Sequence, residues 1–217
     1  NSPEMLFWDE REAGSFLRWA DERYSDYDNA NRSRSRKHFV IYLLALNTGM
    51  RAGELWGLRP QDFFFGEDEV GDTIFVRRQF TLLTRKIAPL KGELKPDRDK
   101  SRHVPCPPGL RKELEALVAF NKTSSHEPVF QSVNGRPIHH DSFCDRFHRD
   151  VQRWGGLRIR FHALRHTAAT LMLAKGVDVK TVKEILGHED ISTTMKYVHL
   201  VGDRIKQVSR SFSIRPV

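Results

Sequence analysis

Apolar positions along the chain recur at two spacings. Over residues 9–22, Ala13, Phe16, Leu17 and Ala20 share one face of a helical repeat and charged residues fill the other, which predicts an amphipathic first helix. The polar, Asn- and Ser-rich segment "YSDYDNANRSRSR" (24–36) predicts a loop. The apolar run "FVIYLLAL" (39–46) predicts a buried helix over about 37–48, ended by Gly49 at its C-terminus. A short helix follows at "RAGELWGL" (51–58), stopped by Pro60. The spacing then changes. "DFFF", "TIFVRRQF" and "RHVP" within 62–105 predict a small antiparallel sheet, with an extended hairpin across the basic stretch that holds Pro89 and Pro96. After Pro108 helical spacing returns, predicting helices at 109–121, 141–154, 161–175 and 178–186. A short helix at 191–198, capped by Asp190, and a last one near 203–210 lead into the tail "SFSIRPV". The fold class is α+β, mainly α-helical, with a small antiparallel β-sheet and hairpin insert.

Composition narrows the setting. The 217 residues suffice for one domain with a substantial core or for two small ones. The longest apolar run is too short to cross a bilayer, so no membrane partner is expected. The start "NSPEMLFWDE" lacks a basic segment followed by an apolar one, which argues against a signal peptide, and it lacks an initiator Met, which suggests a piece of a longer chain. Cys106 and Cys144 are the only cysteines, too few for a disulfide framework, and fit a reducing cytoplasm. The net charge of +8 is uneven: residues 1–30 hold eight acids against three arginines, and residues 77–112 hold eleven bases against three acids. That asymmetry suits a nucleic-acid face with a solvated back, and equally suits ordinary solubility charge.

"FHALRHTAATLM" (161–172) carries the first candidate chemistry. His162 and His166 stand at the i, i+4 spacing of a zinc helix, but the position of the general-base Glu is Ala163, Asp and Glu are absent from 155–177, and Arg165 would repel a dication. No metal and no cofactor are expected. His162 and Arg165, at i, i+3, share a face. Arg presents a planar fork matched to two phosphate oxygens, and His exchanges a proton near neutral pH. Arg51 follows a Gly-ended helix in "LNTGMRAGEL" (46–55), and His188 precedes Tyr197 by nine residues in "ILGHEDISTTMKYVHL" (185–200). Two arginines, two histidines and one tyrosine, each near a turn, make a candidate anionic site.

Three blocks in order, "TGMRAGEL", "HALRHTAATLMLAKGVDVKTVKEILGH" and "ISTTMKYVHL", resemble the catalytic domain of the tyrosine recombinases, the phage-integrase family, from about residue 8 to 200. The resemblance implies that Arg51 is the first phosphate-binding arginine, His162 and Arg165 the His-x-x-Arg pair, His188 the second active-site histidine and Tyr197 the nucleophile. Glu54 resembles the acid that orients the first arginine. The family lysine, set on a hairpin turn before an Arg-x-Val-Pro-like strand, is matched by Lys95, with Lys100 as the alternative because "LKPDRDKSRHVP" is about one residue longer than the common spacing. Arg98, Lys100 and Arg102, near the hairpin tip, are expected to meet DNA phosphates. "RSRSRK" (32–37) is expected to be a solvated loop rather than a DNA contact, and His166 to be structural.

The reaction implied is site-specific breakage and rejoining of double-stranded DNA through a 3′-phosphotyrosyl intermediate. The arginines would stabilise the phosphorane, Lys95 would protonate the leaving 5′-oxygen, His162 would exchange a proton with the tyrosine, and His188 would bind the scissile phosphate. A type IB topoisomerase-like enzyme and a catalytically inactive DNA-binding module are the alternatives. By the same resemblance the chain is a single catalytic domain, 1–217, without the family's N-terminal core-binding domain. Its tail, 200–217, would pack on a neighbouring subunit, in a homo-tetramer on DNA at full length and a monomer as this piece. The setting implied is the cytoplasm of a bacterium, the gene bacterial or phage-borne and the protein on the nucleoid when acting.

Overall fold

The computed structural model describes residues 5–25, 30–66, 71–90, 101–132, 135–136 and 138–211, with the backbone alone for 30–34, 201 and 203–211. Eight α-helices, one short 3-10 helix (Pro60–Asp62) and five short strands occupy these residues. Helix α1 (Glu10–Arg23) starts in a reciprocal cap: Asp9 Oδ1 accepts from the Glu12 amide at 2.8 Å, and Glu12 Oε2 accepts from the Asp9 amide at 2.8 Å. Such a cap is worth about 1 kcal/mol. The predicted apolar face buries Ala13, Phe16 and Ala20. Just before α1, Trp8 is fully buried and donates Nε1 to the Leu157 carbonyl at 2.8 Å, which ties the start of the chain to its second half.

Helix α2 (Ala30–Thr48) is the central element, packed against α1, against α4 (Pro108–Asn121) and against α6 (Ala163–Ala174). It begins well before the predicted boundary, so the second half of the expected loop is helical. Arg36 shows why. It is buried among acids from two other helices, with Nη1 on Asp21 Oδ1 and Nη2 on Glu113 Oε1, both at 2.5 Å. A polar composition that reads as loop is here a helix face paired across a bundle. Tyr42 on α2 and Tyr24 at the end of α1 both donate to Asp150 Oδ2, on α5 (His140–Trp154), at 2.8 and 2.5 Å.

The strand "TIFVRRQF" divides at Arg77. Strand β2 (Thr73–Val76) lies between β1 (Phe63–Phe64) and β5 (Arg102–Pro105), antiparallel to both, with Ile74 opposite Val104. Strand β3 (Arg78–Thr81) forms a separate antiparallel pair with β4 (Lys86–Pro89), Phe80 opposite Ile87. Helix α3 (Ala52–Gly57) packs on β3 through two glycines. A Cβ on Gly53 would lie 2.6 Å from the Phe80 carbonyl oxygen, and one on Gly57 would lie 2.8 Å from that of Arg78. Only bare backbone permits this approach.

Helix α7 (Val179–Leu186) follows α6, and helix α8 (Ile191–Ser211) packs across both. Asp190 caps α8, accepting from the Ser192 amide at 2.9 Å. The two C-terminal helices expected at 191–198 and 203–210 are one, and Gly202 does not interrupt it. No helix of the described residues is long and apolar enough to cross a membrane.

Candidate active site

Two glycine turns build the site. Helix α2 ends at Gly49 (φ +63°) and α7 at Gly187 (φ +68°), both in the left-handed conformation that closes a helix C-terminus. The last carbonyls of a helix lack partners within it and carry its negative end. Arg165, on α6 between these ends, serves both: Nη1 donates to the Gly49 carbonyl at 2.7 Å and Nη2 to the Leu186 carbonyl at 2.8 Å. Its side chain is only 3% exposed. Arg102 does the same for the preceding carbonyl of α7, donating Nε to Ile185 at 2.6 Å.

Arg102 is therefore not placed as expected. It turns inward from β5 and grips Glu54, with Nη1 on Oε1 at 3.0 Å and Nη2 on Oε2 at 2.7 Å. Glu54, expected to orient the first arginine, is fully buried. It accepts from the Arg51 amide at 2.8 Å and from Arg51 Nη1 at 3.2 Å. Burial pushes its carboxyl up, but Arg102, Arg51 and Arg165 outweigh that and hold it below the ordinary carboxylate value. Arg51, between the Gly49 turn and α3, keeps 42% of its side chain open to solvent. Lys95, Arg98 and Lys100 lie outside the described residues.

The histidines and the tyrosine gather on the other side of Arg165. Tyr197, on α8, is buried beside Ala169, Val182 and Leu186. His188, in the turn before α8, stacks on its ring at 6.2 Å between centroids and 12° between planes, and its Nδ1 is bonded to Thr194 Oγ1 at 2.9 Å. His162 stands exposed at the start of α6, and its ring makes no hydrogen bond among the described residues. His166, expected to be structural, is the residue that touches the tyrosine: its Nδ1 lies 2.7 Å from Tyr197 Oη. The i, i+4 spacing that suggested a metal places the two imidazoles edge to face, 5.1 Å apart. Among the described residues, no three His, Cys, Asp or Glu side chains group as metal ligands.

This crowding of cations sets the protonation states. Burial lowers Arg165 first, and Arg51 lowers it further, to about 9, so it stays charged at neutral pH. Burial lowers His166 to about 4, helped by His162 and Arg165, and lowers His188 to about 3, helped by Arg165, Arg51 and Arg102. His162 is lowered by partial desolvation and by the same two arginines, Arg165 and Arg51. Burial raises the Tyr197 phenol, which Arg165 and Arg51 pull back only in part. At neutral pH the cluster is a cationic pocket with neutral imidazoles and a protonated tyrosine, suited to receiving an anion. Its nearest carboxylate, Glu54, is already engaged.

Fold and site together define a mainly helical α+β domain whose cationic pocket holds a buried tyrosine hydroxyl. The phage integrase family model matches residues 21–203, and the chain belongs to that family. It is 28% identical over 200 residues to a tyrosine recombinase XerC-like protein of Caldanaerobacter subterraneus subsp. tengcongensis, covering 84% of this chain and 50% of that one. It is 30% identical over 180 residues to tyrosine recombinase XerC of Staphylococcus aureus, covering 81% and 53%. The chain thus spans about half the length of the curated relatives it matches. Among solved structures, XerH site-specific recombinase bound to palindromic difH substrate superposes with a TM-score of 0.72 at 21% identity, over 96% of this chain and 55% of that one. The Tn1549 transposon integrase in complex with transposon right-end DNA gives 0.71 at 21% identity, over 91% and 62%. The fold is that of the tyrosine-recombinase catalytic domain.

Sequence reasoning missed the His166 contact and the inward turn of Arg102. The signal for the first was present: His166 lies one turn beyond His162 on the same face. The signal for the second was the strand register, which the basic composition around it obscured.

Proposed function

We propose that the chain is the catalytic domain of a site-specific DNA recombinase or integrase that breaks and rejoins strands through a 3′-phosphotyrosyl intermediate. The observation that carries this reading is the hydroxyl of Tyr197, set among Arg51, Arg165, His162, His166 and His188. Tyr197 Oη attacks the scissile phosphorus, Arg51 and Arg165 hold the non-bridging oxygens as charge grows on them, and His188 binds the same phosphate. Glu54 and Arg102 position Arg51. Lys95, with Lys100 as the alternative, protonates the leaving 5′-oxygen. The partner is double-stranded DNA, in keeping with the DNA-bound states of the XerH and Tn1549 proteins, and the full-length protein works as a tetramer in the cytoplasm, on the nucleoid. The tyrosine attack conserves the energy of the phosphodiester, so no nucleotide cofactor is required.

The test is covalent trapping. Full-length protein is incubated in EDTA with a pool of nicked duplexes of random sequence, and adducts are resolved on a denaturing gel. The expected result is a protein–DNA adduct that Tyr197→Phe abolishes. An adduct that persists in Tyr197→Phe sinks the nucleophile assignment, and loss of all adduct in EDTA sinks the metal-independent chemistry. The same pool with a 5′-sulfur leaving group separates Lys95→Ala from Lys100→Ala, because only loss of the true proton donor is rescued by a leaving group that needs no proton.

A further inference from the structure

His166 is the group in contact with the tyrosine hydroxyl, and its position gives it more than a packing role. Its Nδ1 is 2.7 Å from Tyr197 Oη, with the rings 5.6 Å apart and inclined at 39°. The same imidazole lines an open cavity of about 820 Å³ together with His148, Arg160 and His162. One edge of the ring thus meets the phenol while the ring also borders this open cavity. His162, the other imidazole of α6, makes no such contact.

We propose that His166 is a further catalytic residue of strand cleavage: its Nδ1 takes the proton of Tyr197 as Oη bonds to phosphorus, and the cavity beside it is the route by which that proton exchanges with water. This rests on Tyr197 being the nucleophile. The balance of the step is complete. The Oη–H bond breaks and the proton moves to Nδ1. The Oη–P bond forms and the P–O5′ bond breaks. The departing 5′-oxygen takes its proton from the proposed lysine, Lys95 or its alternative Lys100. In rejoining, the incoming 5′-hydroxyl returns its proton to the lysine amine as its oxygen bonds to phosphorus, and the phenol leaves with the proton held on Nδ1. The tautomer required is Nε2–H, with Nδ1 free to accept.

The charge around the ring keeps it ready to accept. Its surroundings are His162 and Arg165 on α6, Tyr197 on α8, His188 before α8, and His148 and Arg160 across the cavity. Burial first, and then the adjacent Arg165, hold it neutral at pH 7. A phosphodiester between Arg51 and Arg165 offsets those cations, which raises the basicity of the imidazole when the proton must move.

The experiment uses full-length protein and the duplex sequences recovered from the trapped adduct, with single-turnover cleavage as the readout. His166→Ala and His166→Asn are both expected to lower the cleavage rate on the order of 100-fold with unchanged DNA binding and thermal stability. Asn places an amide where Nδ1 stood, so it can hold the phenol but cannot take a proton. A ring-fluorinated tyrosine at position 197, more acidic than tyrosine, is expected to recover roughly tenfold of the His166→Ala loss. Wild-type rates in both variants would overturn the proposal, as would full rescue by Asn, which would reduce the ring to a positioning residue. Adduct formation by Tyr197→Phe would instead overturn the underlying reading and leave these arms without a nucleophile to serve.

Discussion

Glu54 is the residue whose loss the structure prices most clearly. It is fully buried and bridges two guanidiniums, with contacts at 2.7 and 3.0 Å to Arg102 and at 3.2 Å to Arg51, besides the Arg51 amide at 2.8 Å. Removing one partner of a buried pair leaves the other charge uncompensated and costs about 3–5 kcal/mol. Arg102, with a side chain only 10% exposed, is that stranded partner in Glu54→Ala. For a domain of this size each kcal/mol shifts the melting temperature by about 2–4 °C, so Glu54→Ala should melt about 6–20 °C lower. Arg102→Met alone should also destabilise. The pair Glu54→Leu with Arg102→Met should cost less than the two single changes together, because apolar residues of similar volume replace a buried pair at little cost. The pH dependence has a definite sign. The carboxyl is held below its ordinary value, so its contribution is present at neutral pH and is lost as pH falls through the folded value. Thermal and urea unfolding of the single and double variants provide the cycle. Additive costs, or a loss under about 1 kcal/mol for Glu54→Ala, would show that the pair does not hold the site together.

Two further perturbations test the frame around the site. His38 is held neutral mainly by burial, with a value lowered to about 4, so the unfolded chain takes up its proton first and stability falls as pH drops below about 6.5. Its share of the loss between pH 7 and 4.5 should be about 2–3 kcal/mol, read as the difference in urea midpoints between the wild type and His38→Phe; equal pH slopes would exclude it. Gly49→Ala places a Cβ 2.4 Å from Leu186 Cδ2 at φ +63°, whereas Gly71→Ala, at φ +69°, meets nothing within 4 Å. Gly71→Ala should cost about 1–2 kcal/mol for the backbone alone and Gly49→Ala about 2–5, since overpacking adds to it. Equal costs in chemical denaturation would show that the α2 turn is not packed against α7.

Much of the architecture was legible because periodicity reports burial. The apolar stripe of α1, the continuous apolar run of α2 and the Gly ends at 49 and 187 stand where the pattern puts them. The departures in α2 and in the strands share a cause. Residues 30–36 carry few apolar side chains, and Arg36 pairs across the bundle with Asp21 and Glu113, which no local pattern reports. The division of "TIFVRRQF" at Arg77 is likewise tertiary, set by which neighbour each half pairs with. In the site, residue types were readable from the three motif blocks, but partners were not. Arg102 reads as one base among many, and only the fold turns it onto Glu54. His166 was passed over because each expected role already had a residue, and motif reasoning stops when its roles are filled.

The arrangement of the arginines explains why the site is at once costly and useful. Among the described residues no carboxylate is bonded to Arg165, which is held by two carbonyls at helix C-termini. Those carbonyls carry only partial charge, enough to orient the guanidinium but not to neutralise it. Glu54, the carboxylate nearest, is divided between Arg51 and Arg102. Positive charge therefore exceeds negative in the pocket, and the values of Arg165, His166 and His188, lowered chiefly by burial, are lowered further by their charged neighbours. A second carboxylate would stabilise the protein by itself and occupy the position an incoming anion needs. The carbonyl clamp leaves the attraction unsatisfied while fixing the guanidinium, so under the proposed function a phosphodiester would meet a cation already held in place. The two left-handed glycines belong to the same device, because each turns a helix end toward an arginine: Gly49 presents its own carbonyl to Arg165, and Gly187 ends α7 so that Ile185 and Leu186 present theirs. Backbone conformation, helix polarity and active-site charge are in this domain a single construction, and the "TGMRAGEL" and "ILGH" blocks of the sequence are its two ends.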